Sequence, residues 1–524
     1  MRVAILDLLY DRVPHRSVDP YGAYFRKQFT GIMPQTVAVW CRQLGHKVHY
    51  TTYWGQADPV SLLPNDIDVL FVSSYTQSSA LAYAIATVFK RRNTLTVMGG
   101  PHARSFPTDS MRFFDIVVKD CDRPLIADIL NKRFDPPLIV SSARPLSDFP
   151  SVEERIEEIR VASFYGSRPS AASSVPMLAS IGCPYNCDFC VDWNSTYVTL
   201  PTDRLHADLA FLSRHYPALL IAFHDPNFAV RFDTIMDIIE RIPAGRRNRY
   251  IMECSLSILK TWRLKRLAET NCAYVAPGIE SWTEYSNKAG TGNATGRDKL
   301  EKVITRLELI GEHVPGIQAN LLFGADSDRG DEPVTLTKEF IRRLPDVWPT
   351  INIPTPYGGT PLYDQLYRAE RILREMPFMF YSKPYVPITI EHYHPIAFYD
   401  HVIDLLSATA SWAMLVRRIA GRGPYRIRFI HAVRAISNRS EMAELRRIRS
   451  MLASDSQFRS FHEGRSPGLP AFYERLFNRH LGRFAETLPH QMRQPVLELP
   501  ASAPATGPVL AEAERGLDAL PIGS

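Results

Sequence analysis

The sequence predicts an α/β chain in three parts: a doubly wound, Rossmann-like (flavodoxin-like) domain, a partial (β/α)6 barrel, and a mainly helical C-terminal region. Three observations carry that expectation. From residue 2 to 130, short apolar runs alternate with helical patterns, as in a parallel sheet covered on both faces. From residue 175 a strand-then-helix pattern recurs through six units, as in a parallel barrel. From residue 400 to 452 the apolar residues recur at helical spacing.

The 524 residues leave room for roughly two to four domains. Hydrophobic residues make up 45% and charged residues 22%, an ordinary globular balance, and a net charge of +6 gives no argument for nucleic acid. Seven cysteines, three of them in one short loop, do not resemble a disulfide framework. Cys41, Cys121, Cys254 and Cys272 sit in apolar surroundings and read as core thiols. The opening MRVAILDLLYD is too short an apolar run for a signal peptide and reads as a first strand. With no bilayer-length apolar stretch either, the expected compartment is the reducing cytoplasm.

In the first part, strands are expected over 3–8, 47–53, 68–73, 94–99 and 115–118, and helices over 35–44, 80–91 and 123–130. Ligands of such sheets bind outside the carboxyl ends of the strands. The loops at that edge are 10–31, 73–79 and Gly99-Gly100-Pro101-His102. Glycines at 99 and 100 would let the backbone approach a bulky ligand, or serve a tight turn. His102 would line the same edge or hydrogen-bond locally. Residues 134–174, punctuated by proline, are expected to be a linker packed on both neighbours, with a short helix over 152–161.

In the second part, strands are expected over 176–180, 219–224, 249–254, 272–279, 316–323 and 350–354, with helices between them. The loop SIGCPYNCDFCVDW after the first strand places Cys183, Cys187 and Cys190 in a C-x3-C-x2-C array. Soft thiolates at this spacing can hold three irons of a [4Fe–4S] cluster and leave one iron open. A structural zinc site would show a second pair of ligands, and none follows.

This loop, with Phe189 before the last thiol, resembles the cluster loop of the radical S-adenosylmethionine (radical SAM) enzymes, C-x3-C-x-aromatic-C. Other strand ends resemble that family more weakly. FHDPNF, with Asp225, is similar to the F-x-D-D-x-F stretch of its cobalamin-linked members, though an Asp–Pro turn reads equally well. GIES, with Gly278 and Glu280, matches the family's G-I-E-S, and the carboxylate would meet SAM or cap the next helix. Asn320 would face inward and hydrogen-bond SAM, while Asp326 and Asp328 would shape the following turn. TPYGGTPLY resembles the segment closing the family's barrel. The first part resembles the cobalamin-binding domain joined to many of these enzymes. Its D-x-H-x-x-G motif is absent, so cobalamin would bind without a protein imidazole, or the domain is a degenerate scaffold.

The resemblance implies a cobalamin-binding-like domain over 1–133, a linker over 134–174 and a radical SAM barrel over 175–366. A helical substrate or lid region over 367–490 and a disordered tail over 491–524 would follow. It further implies a [4Fe–4S] cluster on Cys183, Cys187 and Cys190. SAM would lie near Phe189, Asp225, Gly278, Glu280 and Asn320, and cobalamin near Gly99, Gly100 and His102. The activity implied first is cobalamin-dependent C-methylation of an unactivated carbon in a lipid, tetrapyrrole or secondary metabolite. Alternatives are a cyclase, oxidase or rearrangement enzyme without methyl transfer, or a non-catalytic electron-transfer or sensing protein. A flavodoxin or ferredoxin would be the reductant. The arginines of 400–452, beside an apolar face of Ile403, Leu405, Trp412, Leu415 and Ile419, would suit peripheral membrane contact or a solvated helix exterior. They come with no recognised nucleic-acid module. His392 and His394 could sit in a lid.

Overall fold

Two parallel six-stranded sheets, and a helical region that touches both, make up the computed structural model, which describes residues 1–13, 25–142, 146, 148–166, 168–170, 172–421 and 423–499. The tail expected to be disordered over 491–524 lies outside these residues beyond 499, as does much of the 10–31 edge loop. The tail's described start is ordered, since Val496 N–H donates to Asp109 and Glu498 accepts from Thr108.

The first sheet comprises β1 (Arg2–Leu8), β2 (Lys47–Tyr53), β3 (Val69–Ser74), β4 (Leu95–Gly99), β5 (Ile116–Val118) and β6 (Leu138–Val140), in the order β2-β1-β3-β4-β5-β6. That is the flavodoxin-like order with one strand added. Strand β1 shows why it forms: Val3 and Ile5 join the core on one face, and Ala4, Leu6 and Leu8 join the core on the other. Both faces are buried, so the run is continuously apolar instead of alternating. Helices Ile32–Gln43 and Arg123–Leu130 cover the first face. Strand β6 was not expected. It pairs with β5 from within the segment read as linker, where Pro136 and Pro137 disguise a three-residue strand. Elsewhere in that segment, described residues pack against both neighbours. Phe164 is buried, Arg155 reaches Gln35 Oε1 at 2.8 Å, and the backbone N–H of Val152 donates to Asp208.

The second sheet comprises β7 (Ser174–Met177), β10 (Leu220–Phe223), β11 (Tyr250–Ser255), β12 (Cys272–Glu280), β13 (Gly316–Leu322) and β14 (Val347–Asn352), ordered β14-β13-β12-β11-β10-β7. A short antiparallel pair, β8 (Ser180–Ile181) and β9 (Val198–Thr199), stands apart. Six parallel strands with open edges form the expected partial barrel. The first strand starts two residues earlier than expected, and the last three earlier. Each carries a proline, Pro176 and Pro349, which is tolerated because β7 and β14 are edge strands.

The C-terminal region packs over the helix Ser79–Lys90, which covers the second face of the first sheet. Phe378, Phe380, Tyr473 and Leu481 share one core with Leu6, Leu81, Phe89 and Phe114. It also closes the barrel. Arg434, from the helix Tyr425–Ser454, donates to Gln318 Oε1 at 2.8 Å and to Thr350 Oγ1 at 3.3 Å. The single apolar face expected here is split, because Leu405 and Leu415 turn inward while Trp412 and Ile419 are exposed. Among the described residues no helix is long and apolar enough to cross a membrane.

Candidate active site

The cysteine loop leaves β7 and is closed at its base by the β8–β9 pair, Ser180 opposite Thr199. Gly182 turns there at φ +72, with the Thr196 carbonyl where a Cβ would project, so only glycine fits. Within the loop Ser195 Oγ accepts from the backbone N–H of Cys183 at 3.2 Å, and Cys190 N–H donates to the Cys187 carbonyl at 3.1 Å. Asp225 is buried beneath the loop. It accepts from the backbone N–H groups of Ala179 and Ser180 and from the Ser180 hydroxyl, the last two at 2.5 Å. Burial pushes its carboxyl up to about 6 against the pull of these donors. Expected beside SAM, Asp225 instead has its oxygens committed to anchoring the loop. Sequence reasoning missed Asn227, two residues on, which is fully buried, accepts from Ser255 N–H at 2.8 Å and lies beside Cys183. Tyr185 ties the loop to Ser257 across the barrel mouth at 2.5 Å.

One cation that nothing in the sequence singles out acts on all three thiols. Burial pulls the ammonium of Lys288 down, but attraction to the charged forms of Cys187, Glu280, Cys190 and Cys183 outweighs it and holds the group above its ordinary value. Burial pushes Cys187 up to about 11 and raises Cys183 and Cys190 too. Among the described residues no three His, Cys, Asp or Glu converge as ligands of a single ion. A mononuclear thiolate centre, with bonds of about 2.3 Å, would draw its sulfurs within roughly 4 Å of one another. Thiolates on separate irons of one cluster need not converge so far, and the soft donor set fits such a cluster. Cys41, Cys254 and Cys272 are buried elsewhere with raised thiols, as core cysteines are.

Glu280 ends β12 at φ +66, a left-handed conformation costly for a residue with a side chain. The register against β13 slips between Gly278 and Glu280, and the Glu280 carboxylate folds back over Gly278 where a Cβ would sit. Burial pushes this carboxyl up to about 7, with Lys288 and Lys299 pulling it back. Asn320 accepts from Gln318 Nε2 at 2.7 Å and donates to the Ala276 carbonyl at 3.3 Å, so Arg434, Gln318 and Asn320 form one polar chain. Phe189 stacks on Tyr285, centroids 5.7 Å apart. Asp328 shapes its turn as expected, accepting from the N–H groups of Gly324 and Ala325. Asp326 instead pairs with both terminal nitrogens of Arg371. His394 caps the helix Pro395–Ala410 and bonds Glu463 at 3.1 Å, while His392 is exposed, so the two do not form a ligand pair.

The carboxyl edge of the first sheet faces this loop. At its switch point Asp7, on β1, accepts from Gly31 N–H at 2.9 Å and is pushed up to about 7 by burial. Tyr75, after β3, feels both Asp7 and Glu253 of the barrel. Arg104, in the helix Pro101–Ser105 after Gly99-Gly100, stands 3.8 Å from Asp192 of the cysteine loop. Gly358, in TPYGGTPLY, lies against the Ser105 carbonyl so closely that no Cβ would fit. Gly100 turns at φ +88 against Ser73 and Ser74, whereas a Cβ at Gly99 would meet nothing within 4 Å. His102 departs from its expected place at the edge. It is fully buried, Nε2 lies 2.6 Å from the Tyr83 hydroxyl and Nδ1 3.3 Å from Thr76 Oγ1, and burial lowers it to about 3. Both ring nitrogens are engaged, so it is a core histidine with none to offer a metal.

No family model matches the chain. It is 24% identical over 374 residues to the bacteriochlorophyllide d C-8(2)-methyltransferase of Chlorobaculum tepidum, which spans 67% of this chain and 80% of that relative. Among solved structures, the cobalamin-dependent S-adenosylmethionine radical enzyme OxsB with aqua-cobalamin bound superposes with a TM-score of 0.56, at 12% identity over 93% of this chain and 79% of that one. The radical S-adenosylmethionine methyltransferase TsrM from Kitasatospora setae superposes with a TM-score of 0.50, at 14% identity over 72% of this chain and 77% of that one. The chain has the fold of the cobalamin-dependent radical SAM enzymes, and among its sequence relatives is a bacteriochlorophyllide methyltransferase.

Proposed function

We propose that the chain is a cobalamin-dependent radical SAM enzyme that C-methylates an unactivated carbon of a small molecule. The observation that carries this reading is the seam itself. The cysteine loop and the switch-point edge of the first sheet face each other, joined by Arg104 and Asp192. In this reading Cys183, Cys187 and Cys190 hold the cluster. Glu280, Gly278 and Asn320 bind the amino-acid end of SAM, and Phe189 backs the loop. Gly99 and Gly100 receive the corrin edge, with no imidazole from His102. The domain limits are those of the sequence reading, with the first sheet extended through β6 and the C-terminal region through Glu498, which accepts from Thr108. When bound, these groups supply an electron for reductive cleavage of SAM and a cobalt that carries the methyl group. The protein orients them, excludes water and holds the ammonium of Lys288 beside the thiolates. A flavodoxin or ferredoxin delivers the electron. The relative's name makes a chlorophyll-type tetrapyrrole the first substrate to assay.

The test is anaerobic reconstitution with iron, sulfide and hydroxocobalamin, followed by optical spectra and incubation with methyl-labelled SAM. Cluster and cobalamin bands with label transferred to substrate carbon are expected. Production of 5′-deoxyadenosine without label transfer would replace methylation with another radical outcome. A cluster that never cleaves SAM would refute the enzyme reading.

A further inference from the structure

We infer that the helical hairpin of Trp412–Ala420 and the first half of Tyr425–Ser454 is a docking surface for an anionic lipid bilayer. The two helices run antiparallel. Arg439 covers the Trp412 ring at 3.9 Å near one end, and Arg428 donates to the Ile419 carbonyl at 2.6 Å near the other. Residues turned away from the protein on both helices therefore form one strip. Six large apolar side chains occupy it: Trp412 (68% exposed), Val416 (62%), Ile419 (51%), Tyr425 (73%), Phe429 (52%) and Ile436 (48%). Tyr425 and Phe429 stack on one another at 6.3 Å, which keeps both rings on the same side. The opposite faces are already used, with Met414, Leu415 and Arg418 buried on one helix and His431 and Ala435 on the other.

Charge decides the occupant. Between Asp404 and Glu441 the sequence carries seven arginines and no aspartate or glutamate. Arg418 is buried and Arg434 is bound inside the barrel, whereas Arg417 and Arg426 are exposed and Arg428 and Arg439 half-buried along the strip. Arg426 stands close enough to Arg249 for the two cations to repel, an arrangement that an anion relieves. Asp346, beside Gly421, is answered by Arg418. Exposed Trp and Tyr amid arginines, with no acid among them, suit the headgroup boundary of an anionic leaflet. They suit a neutral apolar partner less, because such a partner would leave the guanidinium groups unanswered.

The test uses the full chain and needs no cofactor. It is sedimented with vesicles of equal parts phosphatidylglycerol and phosphatidylcholine, and with vesicles of phosphatidylcholine alone. Binding to the anionic vesicles is expected, at least about tenfold stronger than to the neutral ones and weakened by salt. Since a basic side chain near such a surface contributes about fivefold, Arg426→Ala with Arg428→Ala should weaken it by about 25-fold. Trp412→Ser with Phe429→Ser should abolish quenching of the protein's fluorescence by brominated lipid. Melting curves confirm that each pair of variants is folded. Equal binding to both vesicle types, no binding, or variants that bind like the parent would overturn the inference. So would light scattering showing a dimer that the same substitutions dissolve, because the strip would then belong to a second copy.

Discussion

Two adjacent glycines at the edge of the first sheet give opposite expectations. At Gly100 an added Cβ would lie 2.9 Å from both Ser73 Oγ and the Ser74 backbone nitrogen, at φ +88. Gly100→Ala should therefore destabilise the cofactor-free protein by about 1–3 kcal/mol, through strain and overpacking together. At Gly99 the φ is ordinary and nothing lies within 4 Å, so the protein's own packing does not require glycine. Gly99→Val should leave cofactor-free stability unchanged or raise it by about 0.5–1 kcal/mol, since the unfolded chain loses freedom. If the backbone at Gly99 supports a corrin, the new methyls intrude on it at a cost of about 1–3 kcal/mol, or roughly 5- to 150-fold in affinity. The assay pairs urea unfolding of the cofactor-free protein with a hydroxocobalamin titration followed by absorbance. Cobalamin binding in Gly99→Val at parental strength would refute the placement, as would instability of that variant without cobalamin.

Replacing Cys183, Cys187 or Cys190 singly with Ala should abolish SAM cleavage and reduce bound iron after anaerobic reconstitution, while Cys254→Ala keeps both; 5′-deoxyadenosine and iron assays check this. Gly358→Ala forces a methyl into the Ser105 carbonyl and must part the barrel from the first sheet. A displacement on the order of 1 Å at the seam should cut turnover by about 100-fold with iron content intact, so parental turnover would contradict the docking. His462, buried beside the Tyr473 hydroxyl at 2.9 Å, is lowered to about 3, so it stays neutral in the folded protein through mildly acid pH. The unfolded chain binds this proton below about 6.5, so the histidine costs stability as pH falls, roughly 2 kcal/mol between pH 7 and 5. His462→Gln keeps a hydrogen-bonding group without titrating there, and its stability relative to the parent should improve by that amount over the same interval; urea midpoints at the two pH values measure it.

The buried runs made the first sheet legible because β1, β3, β4 and β5 are largely apolar, while the edge strand β2 keeps Lys47 and His49 exposed. Strand β6, three residues beside a Pro–Pro pair, has no such signal and is recognised only through its pairing with β5. The cysteine spacing announced the loop, but what supports it was not readable. Asp225 and Asn227 look like turn residues until the fold places them under Ser180 and Cys183. Lys288 sits in a polar stretch with no pattern, and its part follows only from the convergence of β12 with the loop. His102 misled because a histidine after two glycines suggests an edge, whereas the short helix Pro101–Ser105 turns it back onto Tyr83.

The core that Leu6 and Phe89 share with Phe378 and Tyr473 also constrains how the chain is made. When the ribosome has finished the first sheet, the helix Ser79–Lys90 already lies on that sheet's second face, but the residues that bury the outer side of this helix are still unsynthesised, several hundred codons away. At about 5–20 residues per second the nascent domain waits on the order of tens of seconds with an oily flank bare. A gene fragment ending after β6 should accordingly yield inclusion bodies, and full-length yield should respond to holdase chaperones and slow translation more than to any change at the seam.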